Sequence, residues 1–386
     1  MKLLFYSHFF APSVGGVETI VRDIATGLAT VPTVTGSLEF ELTLVTQTPA
    51  ANFDDRSLPF RVTRQPKFSE LRRLIRSSDV VHVAGPAILP IVLSRLSRKP
   101  LVVEHHGFQT ICPNGQLLIE PQGTPCPGHF MAGRHTECWR CNSAPGWLAS
   151  RKLWLLTFVR RALCSQASVN LTPTRWLGEL IHLPHIKTVP HGLAPASQPT
   201  PRTAPSDPPI IVFQGRLVTT KGVRMLLSAA QILREQNRRF VLKIIGDGPE
   251  RSSLEQCARD SLLENCVEFT GRLSGPDLEA TFANASLAVV PSLGGEVFGL
   301  VVAENMQRAL PVIASDLGAF TEVLGDCGVI FRTGDAKHLA EAIDSALTNP
   351  DAASELGRRA ARRVDEQFSQ RVMVEAHAAV YRHIAH

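Results

Sequence analysis

The 386-residue sequence has no apolar stretch approaching the ~20 residues a helix needs to cross a bilayer, so no membrane span is expected. It has little excess charge either: 40 Lys and Arg against 35 Asp and Glu leave +5, a weak case for a nucleic-acid partner. Eight cysteines are too few to staple a chain of this size as a disulfide scaffold. No short repeat is present. The apolar run behind Met1-Lys2, LLFYSHFF, is short, carries His8, and leads into APSVGGVE without a small-residue cleavage site. A buried first strand fits it better than a signal peptide, and a cytoplasmic protein is expected. With 44% hydrophobic and 19% charged residues, global disorder is excluded. At roughly 150 residues per domain, the length allows two or three domains.

What is present is alternation. KLLFYS, FELTLVT, DVVHVAG, LVVEHH and ASVNLTP read as buried strands, with helical spacing between them over Val17 to Leu28 and Leu89 to Leu96. A Pro-, Ser- and Thr-rich stretch then reads as a linker, after which strands restart: PIIVFQG, FVLKIIGDG, VEFTG, LAVVPS, PVIAS and GVIF. Two strand–helix series imply an α/β protein with two doubly wound, Rossmann-like domains. The expected division is 1–192, with a Cys-rich insertion at 107–145, a linker at 193–208, and a second domain at 209–368. Ligands of such sheets bind beyond the carboxyl ends of the strands, so a cleft between the domains is the expected site.

The segment PSLGGEVFGLVVAE, Pro291 to Glu304, carries the most chemistry. A strand ends in a Gly-rich turn and a helix is expected to open near Phe298 or Gly299, offering free N–H groups to an anion. Glu296 in the turn and Glu304 in the helix can each accept hydrogen bonds from ligand hydroxyls. Read blandly, they are a carboxylate favouring the helix dipole and a solvated helix residue. Arg216 and Lys221 bracket a strand-to-helix loop where two cations can hold a diphosphate and stabilise it as a leaving group. Gly15 and Gly16 allow close backbone approach after the first strand. Gly246, in the turn GDGPE, also follows a strand.

Together these segments resemble family 4 glycosyltransferases, retaining enzymes of the GT-B fold. Gly15-Gly16-Val17-Glu18, Gly215-Arg216-Leu217 through Lys221-Gly222, Gly246 through Glu250, and Glu296-Val297-Phe298-Gly299-Leu300 with Glu304 occur in the family's order. The resemblance implies transfer of a sugar from a nucleotide-sugar donor, UDP- or GDP-linked, to an acceptor saccharide or lipid-linked saccharide. It implies Glu296 at the sugar hydroxyls, Glu304 at the ribose, N–H groups of Phe298, Gly299 and Leu300 at sugar and phosphate, and Gly246 near the base. No protein nucleophile and no cofactor are required for that chemistry. The resemblance further implies that segment 369–386 crosses back onto the first domain. The sequence departs from the family over Asn305-Met306-Gln307-Arg308-Ala309, where small residues commonly follow the second Glu and a glycine lies near 309, at Gly318-Ala319 in place of a Gly pair, and at Pro190-His191-Gly192-Leu193 in place of Asn-Gly and an acidic residue. A GT-B phosphorylase would need a lysine bound to pyridoxal phosphate, and no segment for one is visible. A non-catalytic nucleotide-sugar binder and a zinc-organised interaction module are the alternatives from other classes.

His105-His106 end a strand. His106 aligns with a family histidine, so it is expected to touch the donor sugar or acceptor. Cys112, Cys126, Cys138 and Cys141 follow, and can be read as a structural zinc site, as disulfides, or as reduced thiols; His129 and His135 are alternative ligands. Cys164, Cys257, Cys266 and Cys327 read as ordinary thiols. Trp147 to Leu163, with Arg151, Lys152, Arg160 and Arg161, reads as a core helix with a basic edge or as a helix lying on an anionic membrane.

Overall fold

The computed structural model describes residues 1–32, 36–120, 122–141, 146–195 and 206–385. It divides into two compact units, one of Met1–Leu117, Pro127–Pro195 and Gln367–His386, the other of Leu118–Cys126 and Ala196–Glu366. The elements in chain order begin with β1 (Lys2–Ser7), α1 (Gly16–Leu28), β2 (Glu41–Thr46), β3 (Arg61–Arg64), α2 (Phe68–Ser77), β4 (Val80–Ala84), α3 (Ile88–Leu96) and β5 (Leu101–Glu104). A short hairpin, β6 (Leu118–Ile119) and β7 (Thr124–Pro125), precedes α4 (His135–Cys141), α5 (Trp147–Cys164), β8 (Val169–Thr172), α6 (Arg175–Ile181) and β9 (Ile186–Thr188). Then come β10 (Ile210–Gln214), α7 (Val223–Glu235), β11 (Val241–Ile245), α8 (Arg251–Asp260), β12 (Val267–Gly271), α9 (Gly275–Ala283) and β13 (Leu287–Val290). The chain closes with α10 (Leu300–Gln307), β14 (Val312–Ser315), α11 (Gly318–Leu324), β15 (Val329–Phe331), α12 (Ala336–Thr348), α13 (Pro350–Gln367) and α14 (Gln370–Ile384).

The first unit holds a parallel sheet in the order β3-β2-β1-β4-β5-β8-β9, and the second a parallel sheet in the order β12-β11-β10-β13-β14-β15. In both, strand order reverses beside the first strand, the switch point at which doubly wound sheets take ligands. Central strands such as β4, β5, β8, β13 and β14 are buried at every position, as parallel strands covered on both faces must be. That is why they read as mainly apolar runs. β3 (RVTR) and β9 (IKT) did not, because they are edge strands with polar residues at half or more of their positions.

One expectation changes here. The insertion at 107–145 does not lie wholly in the first unit. Leu118–Cys126 belongs to the second, where Gly123 lies so close to Thr219 that a Cβ there would stand 3.1 Å from its methyl. The linker expected at 193–208 falls largely outside the described residues. The C-terminal segment belongs to the first unit. Leu193 bridges Ser369, with Leu193 N–H donating to Phe368 and Gln370 N–H to Leu193. A Cβ on Gly192 would stand 2.4 Å from the Ser369 oxygen, so glycine is what lets α14 dock. α14 then seats Tyr381, fully buried, beside Phe40 and His82.

The insertion's second half is ordered by aromatic packing. Phe130, His135 and Trp139 meet Trp154 and Phe158 of α5 at ring-centroid distances of 4.7 to 5.8 Å, and Arg151 lies over Trp139 and Trp147. α5 is not a core helix. Its buried residues are Ser150, Thr157 and Cys164, whereas Trp147, Leu148 and Leu155 are more than half exposed. No helix among the described residues is long and apolar enough to cross a membrane.

Candidate functional site

Three loops at the carboxyl ends of neighbouring strands in the second unit are joined by their backbones. Gly222 takes φ +67, and a Cβ there would lie 2.0 Å from the Pro291 carbonyl. That close approach brings the loop after β10 against the loop after β13, where Leu293 N–H donates to Thr220 O at 2.7 Å. The loop after β11 is held in the same way. A Cβ on Gly246 would stand 1.9 Å from Gly215 O, Leu217 N–H donates to Asp247 O, and Glu250 N–H donates to Leu217 O. Thr219 adds a side-chain bond to Glu250 at 2.5 Å. Glycine is therefore required by contact at positions that the sequence marked only as turns.

The consequence is a charged pair at the switch point between β10 and β13. Lys221 Nζ donates to Glu296 Oε1 at 2.5 Å, and the buried Ser292 hydroxyl donates to the same oxygen at 3.1 Å. Ser292 is itself fixed by Ser315, whose hydroxyl donates to the Ser292 carbonyl at 2.7 Å. Both partners of the pair keep some solvent exposure, 26% for the Lys221 side chain and 14% for Glu296. Arg216, on the same loop as Lys221, is exposed.

α10 begins at Leu300, with Gly299 as its N-cap at φ +92, and a Cβ on Gly299 would strike the Phe320 ring at 2.5 Å. Phe298 is buried and anchors the turn. α10 thus opens just after the loop that carries Glu296, without a side-chain cap. Glu304 follows one turn later. Its burial pushes the carboxyl above the usual range, against the opposing pull of Arg308; Glu279 adds to the rise and Lys221 resists it. Arg308 itself pairs with Glu279 at 2.7 Å and lies over the Phe282 ring at 4.4 Å. Ala309 adopts φ +54, a left-handed conformation that explains the common glycine near that position.

In the first unit, Gly15 caps α1 in an extended conformation, and the Glu18 carboxylate lies against it. His105 is buried and bonds Asn170 at 2.9 Å; burial lowers its pKa to about 4. His106 turns inward: its Nε2 is buried, 3.4 Å from Glu104 Oε2. The side chain as a whole keeps 6% of its surface exposed.

The eight cysteines are free thiols. Cys112 donates to Asn114 at 2.9 Å, and the Asn114 amide donates to Cys141 at 3.5 Å. Cys126 belongs to the second unit and Cys112, Cys138 and Cys141 to the first. Among the described residues, the group of three metal-capable side chains with ligand atoms within 4.8 Å of one another is Glu104, His106 and His191.

Lys221, Glu296, Glu304 and the start of α10, singled out from sequence, all lie in the second unit. Sequence reasoning missed Ser292, whose signal was a serine at the end of the strand LAVVPS, and Glu104, whose signal was a carboxylate closing the apolar run LVVE.

Residues 197–363 match the model of the family described as glycosyl transferases group 1. The chain is 30% identical over 256 residues to a glycogen synthase of Mycobacterium tuberculosis, a match that spans 65% of this chain and 60% of that protein's length. It is 30% identical over 325 residues to a D-inositol 3-phosphate glycosyltransferase of Pseudarthrobacter chlorophenolicus, covering 80% of this chain and 72% of the relative. Among solved structures, Anabaena HepE in complex with UDP-glucose superposes with a TM-score of 0.72 at 18% identity, covering 99% of each chain. That likeness establishes the fold, two Rossmann-like domains in the GT-B manner. The chain belongs to the group 1 glycosyltransferase family.

Proposed function

We propose that the protein moves a sugar from a nucleotide-sugar donor, UDP- or GDP-linked, to an acceptor hydroxyl with retention of anomeric configuration. The observation that carries this reading is the Lys221–Glu296 pair, held by Ser292 at the switch point of the second sheet. A cation and a carboxylate in salt-bridge contact and still part-solvated can exchange each other for a ligand that offers both an anion and hydroxyls. Lys221 and Arg216 then hold the diphosphate and stabilise the charge that grows on it as the glycosidic bond breaks. Glu296, released from Lys221, accepts hydrogen bonds from the sugar hydroxyls, and Glu304 from the ribose hydroxyls. The N–H groups at the start of α10 face sugar and phosphate. The acceptor hydroxyl gives up its proton with help from the donor phosphate, so no side-chain nucleophile, metal or cofactor enters the chemistry. Orientation and leaving-group electrostatics supply the rate. Support for a UDP-linked donor comes from the UDP-glucose bound to the Anabaena structure.

The test is a thermal-shift screen of UDP-, GDP- and ADP-linked sugars, followed by NMR of the product's anomeric proton. Stabilisation by one donor class and a retained anomer are the expected results; no stabilisation by any donor would exclude the reading.

A second observation bears on the acceptor. Trp147, Leu148, Leu155, Phe158 and Val159 of α5 are exposed alongside Arg151 and Lys152. Apolar side chains beside cations suit the interface of an anionic membrane, at the cytoplasmic face, and hence a lipid-linked acceptor. Co-sedimentation with vesicles containing anionic lipid, and none with neutral vesicles, is the expected outcome.

A further inference from the structure

Glu104 closes β5 with its side chain wholly buried, and imidazoles from four separate parts of the first unit surround its carboxylate. His82 Nε2 lies 3.1 Å and His106 Nε2 3.4 Å from Oε2, while His377 Nε2 lies 3.6 Å and His191 Nδ1 3.8 Å from Oε1. They come from β4, from the turn after β5, from α14 and from the segment after β9. Burial works to raise the carboxyl, but His106 and His377 hydrogen-bond to it and hold it well below the usual range. Such a charge is costly to bury, and for stability alone apolar residues of the same volume would serve as well.

The partners assign the protons. Burial drives the Tyr381 phenol up, so it keeps its proton and donates it to His82 Nδ1 at 2.8 Å. The His82 proton therefore sits on Nε2, toward Glu104. His377 steadies the carboxylate from its other oxygen, its own ring fixed by the Met373 carbonyl 2.8 Å from Nδ1. His106 is fixed twice over. Glu104 takes the hydrogen on its Nε2, and the His191 ring stacks against it with centroids 5.3 Å apart and planes 22° apart. His82, His191 and His377 are buried, whereas His106 keeps part of its surface in solvent. The cluster thus reaches solvent through the histidine that the family resemblance places at the donor sugar or the acceptor.

We propose that Glu104 is a positioning residue for His106, holding the ring proton on Nε2 so that Nδ1 stands ready to accept a hydrogen bond from a substrate hydroxyl. A carboxylate that binds one ring nitrogen decides the tautomer at the other. Through His377 and Tyr381 the same carboxylate ties α14 to the placement of His106. The inference rests on the reading of sugar transfer, in which His106 meets the substrate.

The test compares steady-state kinetics of the full-length parent, Glu104→Gln, His106→Ala and the double variant, with the donor that stabilises the parent. Glutamine keeps the volume and one acceptor oxygen but not the charge. Glu104→Gln should lower kcat about 10- to 10²-fold with donor KM changed less than about 2-fold. In the His106→Ala background the same change should alter kcat less than about 2-fold, because the group it positions is gone. Long-range ¹H–¹⁵N NMR of the imidazoles at mildly alkaline pH, with His106 assigned by its loss in His106→Ala, should place its proton on Nε2. An unchanged kcat in Glu104→Gln, equal fold losses in both backgrounds, or a proton on His106 Nδ1 would each overturn the proposal. The NMR is read on the unaltered protein, so it decides if Glu104→Gln fails to fold. Absence of turnover with every donor would instead remove the reading of sugar transfer, and the tautomer would still show whether Glu104 holds His106.

Discussion

Each unit of this protein places a carboxylate at the carboxyl end of its sheet, and the two are treated in opposite ways. Glu104 is sealed, ringed by imidazoles at 3.1 to 3.8 Å. Glu296 is open, gripped by Lys221 at 2.5 Å and Ser292 at 3.1 Å. Burial alone would push the Glu104 carboxyl up, yet His106 and His377 outweigh it and hold it well below the usual range. The same burial forces His82 down to about 4 and His191 to about 3. A sealed charge must be balanced permanently by something that stays. An open one can change partners, and changing partners is what ligand binding needs.

The sharpest way to break that contrast is to remove the cations of the open site. Replacing Lys221 by Ala together with Arg216 by Ala should lower kcat about 10²- to 10³-fold, the usual cost of losing preorganised charge at a leaving group. Circular dichroism should show the fold kept, since Arg216 is exposed and Lys221 partly so.

Glu304 tests the middle ground, because it is half-buried and its carboxyl is raised above the ordinary 4.5. A folded-state value raised above the unfolded one means the folded protein binds more protons in that window. Stability is therefore lost as pH rises through it. Glu304→Gln should melt higher than the parent at neutral pH, and the gain should vanish below about pH 4. Donor KM should rise about 10-fold in the same variant, from the loss of a charged acceptor to the ribose. A variant that melts higher with donor KM unchanged would remove Glu304 from the site.

On α5, Trp147→Ser with Leu148→Ser should weaken binding to anionic vesicles about 10-fold while leaving turnover of a soluble acceptor unchanged. The smallest effect is expected at Ala309. Glycine there relieves a left-handed alanine and should stabilise by up to about 1 kcal/mol, read as a small rise in melting temperature.

Much of the fold was legible because parallel strands buried on both faces, such as LAVV, appear as apolar runs. RVTR and IKT escaped because an edge strand has no such constraint. Lys221 and Glu296 could be found because local Gly-rich turns signal strand-to-helix loops. Their meeting could not, since it depends on Gly222 pressing against Pro291, sixty-nine positions on by numbering. Glu104 stayed hidden for a related reason. His82, His191 and His377 are scattered along the chain, and no local spacing relates them. In the Cys-rich segment, the CxxC spacing gave no sign that Phe130, His135 and Trp139 pack on Trp154 and Phe158.

The most direct test of the central claim is the rate of nucleoside diphosphate release from the donor that stabilises the protein, measured for the parent and for Glu296→Gln at equal occupancy. If Glu296 holds the sugar at the open site, the variant should release the diphosphate at least about 10²-fold more slowly while still binding the free nucleotide. Equal rates from the two proteins would contradict the account.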